Sequence, residues 1–260
     1  MSRYLYLFLS IFLFTSQDAQ SQQIAATLDY CNFRANDTLG MLEYYLSFPA
    51  NTVKHKVVNG DSLQSSIKVQ VHMLKGNDTV YFDSYILNSS PQSSEKLQLE
   101  EYLVQNKVII PNGEYEFYLE ATDLISATRS SLSVDFPVKV GFDTELLQIS
   151  DIQNLKSYQN VDYQADNVKN GIQMISRNSN FFPLEEDKYI LYAEIYNSDK
   201  VLGKGATYLV EARIADTKTG KIYNNTGIFQ KMTADKVNPV LAEIDLSQIP
   251  TGDFNVVISI

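Results

Sequence analysis

The sequence predicts an all-β fold built from antiparallel β-sandwiches. Apolar side chains occupy every second position of residues 67–73, and the same alternation runs through 114–121 and 131–138. This period is typical of strands that place one face on a core and the other in water. The 17 tyrosines and 13 phenylalanines, set against 11 glycines, also favour strands over disorder. Helical periodicity is confined to 95–105 and 151–158, each predicted to form a turn or two.

The second half of the chain repeats the pattern of the first. Residues 42–45 (LEYY) match 193–196 (AEIY), which places Glu43 over Glu194. The closest match pairs 110–117 (IPNGEYEF) with 249–256 (IPTGDFNV). Each copy offers about seven short strands, which is typical of an immunoglobulin-like sandwich. We therefore predict two tandem immunoglobulin-like β-sandwich domains rather than a single large barrel.

The repeat also suggests where the two domains meet. We predict that domain 1 spans 22–140 and that domain 2 spans 141–260. The join contains glycines, an Asn/Ser-rich patch and an acidic run, but also the strand-like segment 172–175. We therefore assign 141–188 to the start of domain 2, including a long junction loop at about 176–188 that is a candidate functional segment.

Residues 1–21 have the pattern of a secretory signal peptide. Arg3 supplies the positive charge, 4–14 (YLYLFLSIFLF) form the apolar stretch, and Ala19 and Ser21 precede a cut before Gln22. As a helix the apolar stretch would span about 16 Å, roughly half of a bilayer core, which favours cleavage over a membrane anchor. We expect a mature chain without a transmembrane span, exported to the periplasm, the outer membrane or the extracellular space.

The composition offers little chemistry for catalysis. With 31 acidic and 21 basic side chains the net charge is −10, which argues against nucleic acid or an anionic membrane as a partner. The single cysteine, Cys31, excludes disulfides within the chain and multi-cysteine metal sites. His55 and His72 lack metal-ligand spacing, and we expect both to be solvated. The sequence predicts no enzyme, no catalytic residues, no cofactor and no metal.

Four tyrosines are the candidate binding residues: Tyr45, Tyr118, Tyr192 and Tyr196. They fall out of phase with the most apolar face of their strands, or lie on strands that are apolar on both faces. Such rings can form an exposed aromatic stripe for a glycan or a protein partner. The alternative is that both faces of these strands are covered, by the other domain or by a missing one.

Several short motifs resemble a known family. They are 42–49 (LEYYLSFP), 110–115 (IPNGEY), 149–152 (ISDI), 195–196 (IY) and 249–254 (IPTGDF). In this order they resemble the exported β-rich region that precedes the GWxTD domain in GWxTD-domain proteins of Bacteroidota. The Gly-Trp-x-Thr-Asp block is absent, since the chain has no tryptophan. We expect either a relative without that domain or a chain that stops before it. The resemblance implies an envelope-associated protein and places no catalytic residue on these positions.

These observations favour a non-enzymatic, exported interaction or scaffold protein of the bacterial cell envelope. It would bind through sheet faces, edge strands or loops. One alternative is a carbohydrate-binding module that stacks sugars on the tyrosines. Another is a non-catalytic accessory region of a larger envelope protein. The expected partner is accordingly an envelope protein or a glycan.

Overall fold

A computed structural model describes residues 23–95, 100–165, 167–223 and 226–260. Within these ranges the regular structure is almost entirely antiparallel β, with one short α-helix and one turn of 3-10 helix. The all-β prediction is therefore confirmed. The predicted signal peptide at 1–21 lies outside the described residues.

The first half of the chain forms two facing sheets. Its strands are β1 (Thr27–Arg34), β2 (Leu39–Pro49), β3 (Lys56–Val57), β4 (Leu63–Gln64), β5 (Ser66–Lys75), β6 (Asp78–Asn88), β7 (Glu101–Pro111), β8 (Gly113–Asp123) and β9 (Ser131–Val140). Sheet 1 has the order β1-β2-β7, and sheet 2 has the order β6-β5-β8-β9. The short strands β3 and β4 pair with each other, and the 3-10 turn Ala50–Thr52 follows β2.

The second half repeats this arrangement with an enlarged first sheet. Its strands are β10 (Gln148–Ile149), β11 (Gln153–Asn160), β12 (Val168–Lys169), β13 (Ile172–Ser176), β14 (Lys188–Tyr196), β15 (Thr207–Asp216), β16 (Ile228–Thr233), β17 (Val237–Asp245) and β18 (Phe254–Ser259). Sheet 3 has the order β10-β14-β11-β13-β12, with β17 also paired to β14. Sheet 4 has the order β16-β15-β18, and helix α1 (Ser198–Leu202) links β14 to β15.

The first core fills the space between sheets 1 and 2. Alternate residues of their strands point into it, because successive residues of a strand face opposite sides. The ring centroids of Tyr44 in sheet 1 and Phe117 in sheet 2 lie 5.8 Å apart. Burial of each large apolar side chain contributes about 1.5–3 kcal/mol. The fully buried members include Leu42, Tyr44, Leu46, Phe48, Ile67, Val69, Val71, Met73, Val108 and Phe117.

The second core lies between sheets 3 and 4 and follows the same rule. It is built from alternate residues of β14, β17 and β15, and residues of β16 and β18 pack against it. Its buried members include Leu191, Ala193, Ile195, Val210, Ala212, Ile214, Val240, Ala242 and Ile244. The sandwich architecture therefore holds in both halves, while the immunoglobulin-like assignment stays a prediction.

The sequence repeat reappears as a repeat of strand registers. In sheet 2, Met73 of β5 lies opposite Phe117 of β8. In sheet 4, Ile214 of β15 lies opposite Val256 of β18. These two pairs occupy the same positions of the two sequence copies. Sheets 2 and 4 are therefore equivalent, and so are β2 and β14, which carry the matched glutamates.

Most of the described residues in the two predicted helical segments belong to strands. Residues 101–105 belong to β7, which pairs with β2 along its whole length, and 153–158 belong to β11, which pairs with β14 and β13. The helical expectation is therefore wrong for these residues. Pairing with a neighbouring strand overrides the weak local preference of such short segments.

The outer faces of sheets 1 and 3 pack against each other and form a third cluster. Sheet 1 contributes Cys31, Phe33 and Tyr45, and sheet 3 contributes Leu155, Met174 and Tyr192. All six side chains are at most 2% exposed. A large, apolar contact of this kind opposes motion between domains, which is otherwise the usual expectation. The two units therefore have a fixed relative orientation.

The segment that joins the units is held from both sides. Asn32 of β1 accepts a hydrogen bond from the Gly141 N–H at 3.2 Å, and Asn112 donates to the Phe142 carbonyl at 3.3 Å. The amide of Asn197, in the second unit, donates to the Asp143 carbonyl at 2.9 Å. The joining segment is thus part of the ordered interface rather than a free linker.

Candidate functional site

Three of the four predicted binding tyrosines are buried between the units. Tyr45 is 2% exposed, and Tyr192 and Tyr196 are 0% exposed. The prediction of an exposed aromatic stripe is therefore wrong for these three residues. Their strands are apolar on both faces because one face meets its own core and the other meets the opposite unit. This is the alternative that the sequence left open.

A buried ion pair crosses the interface beside Tyr45. The Tyr45 hydroxyl donates to Glu43 Oε2 at 2.8 Å, and Lys169 Nζ donates to the same oxygen at 2.9 Å. Lys169 Nζ also donates to Gln153 Oε1 at 2.8 Å and lies 3.5 Å from the centroid of the Phe33 ring. The side chains of Glu43 and Lys169 are 2% and 10% exposed. Each charge depends on the other, because an unpaired buried charge costs several kcal/mol.

Glu194, the repeat equivalent of Glu43, is held by neutral donors instead. Tyr192 OH and Asn170 Nδ2 donate to its Oε1 at 2.6 and 3.0 Å. Tyr196 OH donates to its Oε2 at 2.7 Å. Its backbone N–H donates to Ser150 Oγ at 2.9 Å. Both carboxylate oxygens thus find partners inside the protein, as buried polar groups require.

The two copies share a Glu-x-Tyr unit with one geometry. Tyr45 and Tyr196 each donate to the glutamate two residues before them, at 2.8 and 2.7 Å. Burial, reinforced by the neighbouring carboxylate, raises the pKa of both hydroxyls well above the usual tyrosine range. They are therefore protonated donors near neutral pH and not bases. Each bond lies within one unit and orients its glutamate, and the Tyr196 hydroxyl also accepts a hydrogen bond across the interface from the Arg34 N–H at 3.0 Å.

One hairpin serves both glutamates. Strands β12 and β13 are joined by the two-residue turn Asn170-Gly171, whose φ angles are 51° and 74°. Positive φ at both positions is the requirement of a type I′ turn, which Asn-Gly satisfies best. The turn places Lys169 against Glu43 and Asn170 against Glu194. The hairpin 168–176 therefore links the two units through Lys169 and orders Glu194 within the second unit through Asn170.

Arg34 ties the end of β1 to the second unit. Its Nη1 donates to Asn197 Oδ1 at 2.8 Å, and its Nη2 donates to the Asp143 carbonyl at 2.9 Å. Its guanidinium carbon lies 4.4 Å from the centroid of the Tyr196 ring. Stacking and planar hydrogen bonding together are what a guanidinium offers and a lysine does not.

Cys31 lies in β1 and faces the same interface. Its side chain is 2% exposed, and burial raises the pKa of its thiol. The thiolate is the nucleophilic form of cysteine, so a raised pKa makes this thiol inert. Cys31 acts here as a small packing residue.

Asp29 at the edge of this interface makes stability depend on pH. Burial raises the pKa of its carboxyl, and repulsion from Asp151 adds to the effect. The folded chain therefore holds this proton more tightly than the unfolded chain, and stability falls as pH rises from the unfolded pKa near 3.8 through the folded pKa. Asp29→Asn is expected to raise the urea midpoint at pH 7 and to flatten this part of the stability profile.

Asp37→Asn is the matched control for that substitution. Asp37 is exposed and its pKa is lowered by Lys236, whose Nζ lies 2.9 Å from its carboxylate. Its removal should leave the urea midpoint unchanged or slightly lower. A lower midpoint for Asp29→Asn at pH 7 would contradict the assignment.

Neither histidine is simply solvated, so that expectation is wrong. His55 Nε2 lies 3.0 Å from Tyr102 OH, and partial burial lowers the pKa of its imidazole. The His72 ring packs between Phe82 and Tyr118, with centroids 4.7 and 5.6 Å away. His72 thus belongs to an aromatic surface rather than to an acid–base pair.

That surface is the outer face of sheet 2. Phe82 of β6 and Tyr118 of β8 flank His72 of β5, because His72 is register partner to both. Phe82 is 53% exposed, and on the same strand Val80 and Ile86 are 43% and 56% exposed. We refer to Val80, Phe82, Ile86, His72 and Tyr118 as the sheet 2 patch. Of the four predicted binding tyrosines, only Tyr118 lies on this face.

Polar side chains border the sheet 2 patch. Tyr118 OH donates to Glu120 Oε2 at 3.4 Å, and Tyr118 lies opposite Asp135 of β9. Lys68 of β5 lies opposite Ile86. An apolar, aromatic centre within a polar rim is the composition of protein interfaces.

Sequence reasoning missed most of this patch although the signal is present. Strand β6 is apolar on both faces, which is the criterion that selected the tyrosines. Its residues alternate between partly buried and exposed apolar side chains: Val80, Tyr81, Phe82, Tyr85, Ile86 and Leu87. The exposed phenylalanine marks the outer face more directly than any tyrosine does.

The predicted junction loop lies between β13 and β14, at residues 177–187. At its base, Arg177 pairs with Glu186, and the Phe182 ring packs against Tyr189 with centroids 5.3 Å apart. Its tip exposes Phe181 and Leu184, at 74% and 85%. The loop is thus an anchored segment with an apolar tip.

Comparison with known proteins yields no match to a family model or to a curated protein sequence. In the described ranges, no helix has the length and apolar character needed to cross a membrane. The same ranges contain no group of three or more His, Cys, Asp and Glu side chains placed to hold a metal ion. The candidate site is therefore interpreted from its own geometry.

Proposed function

We propose that this chain is a non-enzymatic interaction or scaffold protein of the bacterial cell envelope. The sheet 2 patch is the observation that carries the proposal. Exposed apolar clusters of this kind are uncommon on chains that work alone and mark sites of contact with a partner. Its rings lie on three neighbouring strands of one sheet, which presents them in a fixed arrangement.

The interface between the units supports a scaffold role. The buried Glu43–Lys169 pair, the hydrogen bonds of Arg34 to Tyr196 and Asn197, and the apolar contacts around Phe33 hold the two sandwiches at one angle. A rigid body loses little conformational entropy when it binds, because its surfaces are already ordered. The sheet 2 patch on the first unit and any surface on the second thus keep a constant separation.

Export and the envelope location are parts of the same proposal. They rest on the signal-peptide pattern of residues 1–21 and on the resemblance to the region preceding the GWxTD domain. The proposal that the protein is not an enzyme rests on the chemistry of the interface. There the hydroxyls, carboxylates and thiol that come together are buried and engaged in packing or hydrogen bonds.

A crosslinking pull-down from envelope fractions tests the proposal. The variant Phe82→Ser/Tyr118→Ala removes the two flanking rings of the patch and is expected to reduce recovery of the partner at least tenfold. The matched control is Leu209→Ser/Phe229→Ser on the outer face of sheet 4, where the two residues are 52% and 60% exposed. Equal loss in both variants, or no partner with the wild type, would contradict the proposal.

Glycan binding is a second candidate, favoured by the surroundings of Tyr118. A tyrosine ring beside the carboxylates of Glu120 and Asp135 combines a stacking surface with hydrogen-bond acceptors. A glycan array probed with the wild type, Tyr118→Ala and Phe82→Ala tests it. Tyr192 is unsuitable as a probe because it is fully buried. Absence of glycan binding by the wild type excludes this candidate.

A further inference from the structure

Strand β6 is an edge of sheet 2: among the described strands it pairs with β5 alone, and the next strand in the chain, β7, belongs to sheet 1. Natural edge strands are often short or carry lysine or proline, which discourage the addition of another strand. The edge strand β9 carries Pro137 and Lys139, and the edge strand β16 carries Lys231. Strand β6 has 11 residues, DTVYFDSYILN, without lysine, arginine or proline.

The backbone groups on the free side of β6 are oriented for pairing. Ser89 N–H donates to the Ser65 carbonyl at 3.2 Å, so the backbone of Ser89 is directed toward the β5 side. Hydrogen-bonding direction alternates along a strand, and the register of β6 on β5 is regular from Asn88 to Tyr81. The N–H and C=O groups of alternate residues therefore point away from β5. These residues are Phe82, Ser84 and Ile86.

The side chains of the same three residues lie on the outer face of sheet 2. Phe82 and Ile86 are 53% and 56% exposed, and Ser84 between them is also exposed. A strand added to this edge would place every second side chain directly beside them, since cross-strand neighbours share a face. Apolar side chains at those positions would cover the sheet 2 patch from its open side.

Asp83 places a negative charge on the opposite face of the same edge. It is half-buried and points inward between Tyr81 and Tyr85. Burial raises the pKa of the Tyr81 hydroxyl, and the Asp83 carboxylate adds to this effect. Ser84 N–H donates to Asp83 Oδ1 at 2.8 Å. Among the described residues, no lysine, arginine or histidine nitrogen lies within 4 Å of this carboxylate.

This inward charge restricts which strand can pair with β6. A strand without a cation would cover the Asp83 carboxylate and leave it unpaired, which is strongly unfavourable. A second copy of β6 meets the same obstacle. Antiparallel pairing of two copies about Ser84 would make the two Asp83 carboxylates diagonal neighbours on one face, and like charges so placed destabilise a sheet.

We propose that the free edge of β6 binds an extended segment of a partner protein, with apolar side chains beside Phe82 and Ile86 and a lysine or arginine opposite Asp83. The inference rests on the proposed function, because it names the chemistry of the partner that the sheet 2 patch receives. We expect antiparallel pairing, as in the rest of sheet 2. In strand addition the main chain supplies affinity and alternate side chains supply specificity.

A designed peptide added to the full chain tests the proposal. In KTVTIKVTK, pairing of the isoleucine with Ser84 places the second lysine opposite Asp83 and the two valines opposite Phe82 and Ile86. Fluorescence anisotropy of the labelled peptide should show saturable binding. Hydrogen exchange should slow at least tenfold at the amides of Phe82 and Ile86 and stay unchanged at Tyr85, whose N–H is directed toward β5. The control peptide KTVTIEVTK should bind at least tenfold more weakly.

Charge reversal on the protein supplies the matching test. Asp83→Lys should reverse the preference, so that the glutamate peptide binds at least tenfold more tightly than the lysine peptide. Asp135→Lys makes the same change in net charge at an exposed residue of β9 and should retain the wild-type preference. Should Asp83→Lys fail to fold, the two peptides on the wild-type chain still decide the question.

Three results would overturn the proposal: unchanged exchange at Phe82 and Ile86, equal binding of the two peptides, or equal loss of preference in Asp83→Lys and Asp135→Lys. The last would show that the peptides respond to net charge alone. The pull-down separates this inference from the proposed function. Recovery that falls with Phe82→Ser/Tyr118→Ala but not with Asp83→Lys would refute strand addition and leave the interaction role standing. An absence of any partner would contradict that role, while the peptides still test the edge.

Discussion

Replacing Lys169 with methionine is expected to lower the free energy of unfolding by about 3–5 kcal/mol. The substitution leaves the Glu43 carboxylate, whose side chain is 2% exposed, without its counter-ion and removes the hydrogen bond to Gln153. The hydrogen bond from the neutral Tyr45 hydroxyl does not replace the positive charge that the carboxylate loses. Urea unfolding at pH 7, followed by circular dichroism, measures the loss.

Lys188→Met is the matched control for this prediction. Lys188 pairs with Glu243 at 3.1 Å, but the side chains are 59% and 37% exposed. Exposed pairs of this kind contribute about 0–1 kcal/mol, so the control should unfold almost like the wild type. The double variant Glu43→Gln/Lys169→Met should recover at least half of the loss, because no unpaired charge remains. Similar losses for Lys169→Met and Lys188→Met would refute a structural role for the interface pair.

The second large effect is expected at Gly141, the glycine between the two units. Its φ is +99°, and a Cβ added there would lie 2.0 Å from Asn112 Oδ1. Gly141→Ala therefore combines backbone strain with a steric clash, for a total of about 2–4 kcal/mol. Moving Asn112 also breaks its hydrogen bond to the Phe142 carbonyl. Thermal unfolding measures the loss, and limited proteolysis of 139–147 reports whether the join has opened.

Gly76→Ala separates strain from clash. Gly76 has a φ of +60°, but an added Cβ would meet nothing within 4 Å. Gly76→Ala should lower the free energy of unfolding only by the cost of the left-handed conformation, about 1–2 kcal/mol. The segment 139–147 should stay resistant to protease. Equal destabilisation by the two alanines would show that contact with Asn112 is unimportant.

Much of the fold is readable from the sequence because period-two alternation is a local property. Residues 67–73 and 114–121 alternate clearly, and the structure pairs them as β5 and β8. The match of 110–117 with 249–256 also carries over to the same register in both halves. Alternation and internal similarity predict the strands and their register because each strand must bury one face.

The interface between the units, in contrast, cannot be predicted from the sequence. Glu43 and Lys169 lie 126 residues apart, and nothing in either neighbourhood indicates that they meet. The sequence leaves open whether the tyrosines around them are exposed or covered, because alternation reports that a face is apolar but not what covers it. For the same reason the sequence does not distinguish Phe82, which is 53% exposed, from Tyr192, which is fully buried.

The interface makes the two halves of the chain depend on one short element. The two repeats meet through equivalent sheets, and each brings a Glu-x-Tyr unit, as subunits do when they associate about a twofold axis. The hairpin that carries Lys169 and Asn170 breaks this symmetry, because one insertion in the second copy contacts the glutamate of each copy. A single hairpin in the second half thus sets the hydrogen bonding of both glutamates, so a substitution in it acts on the two halves at once.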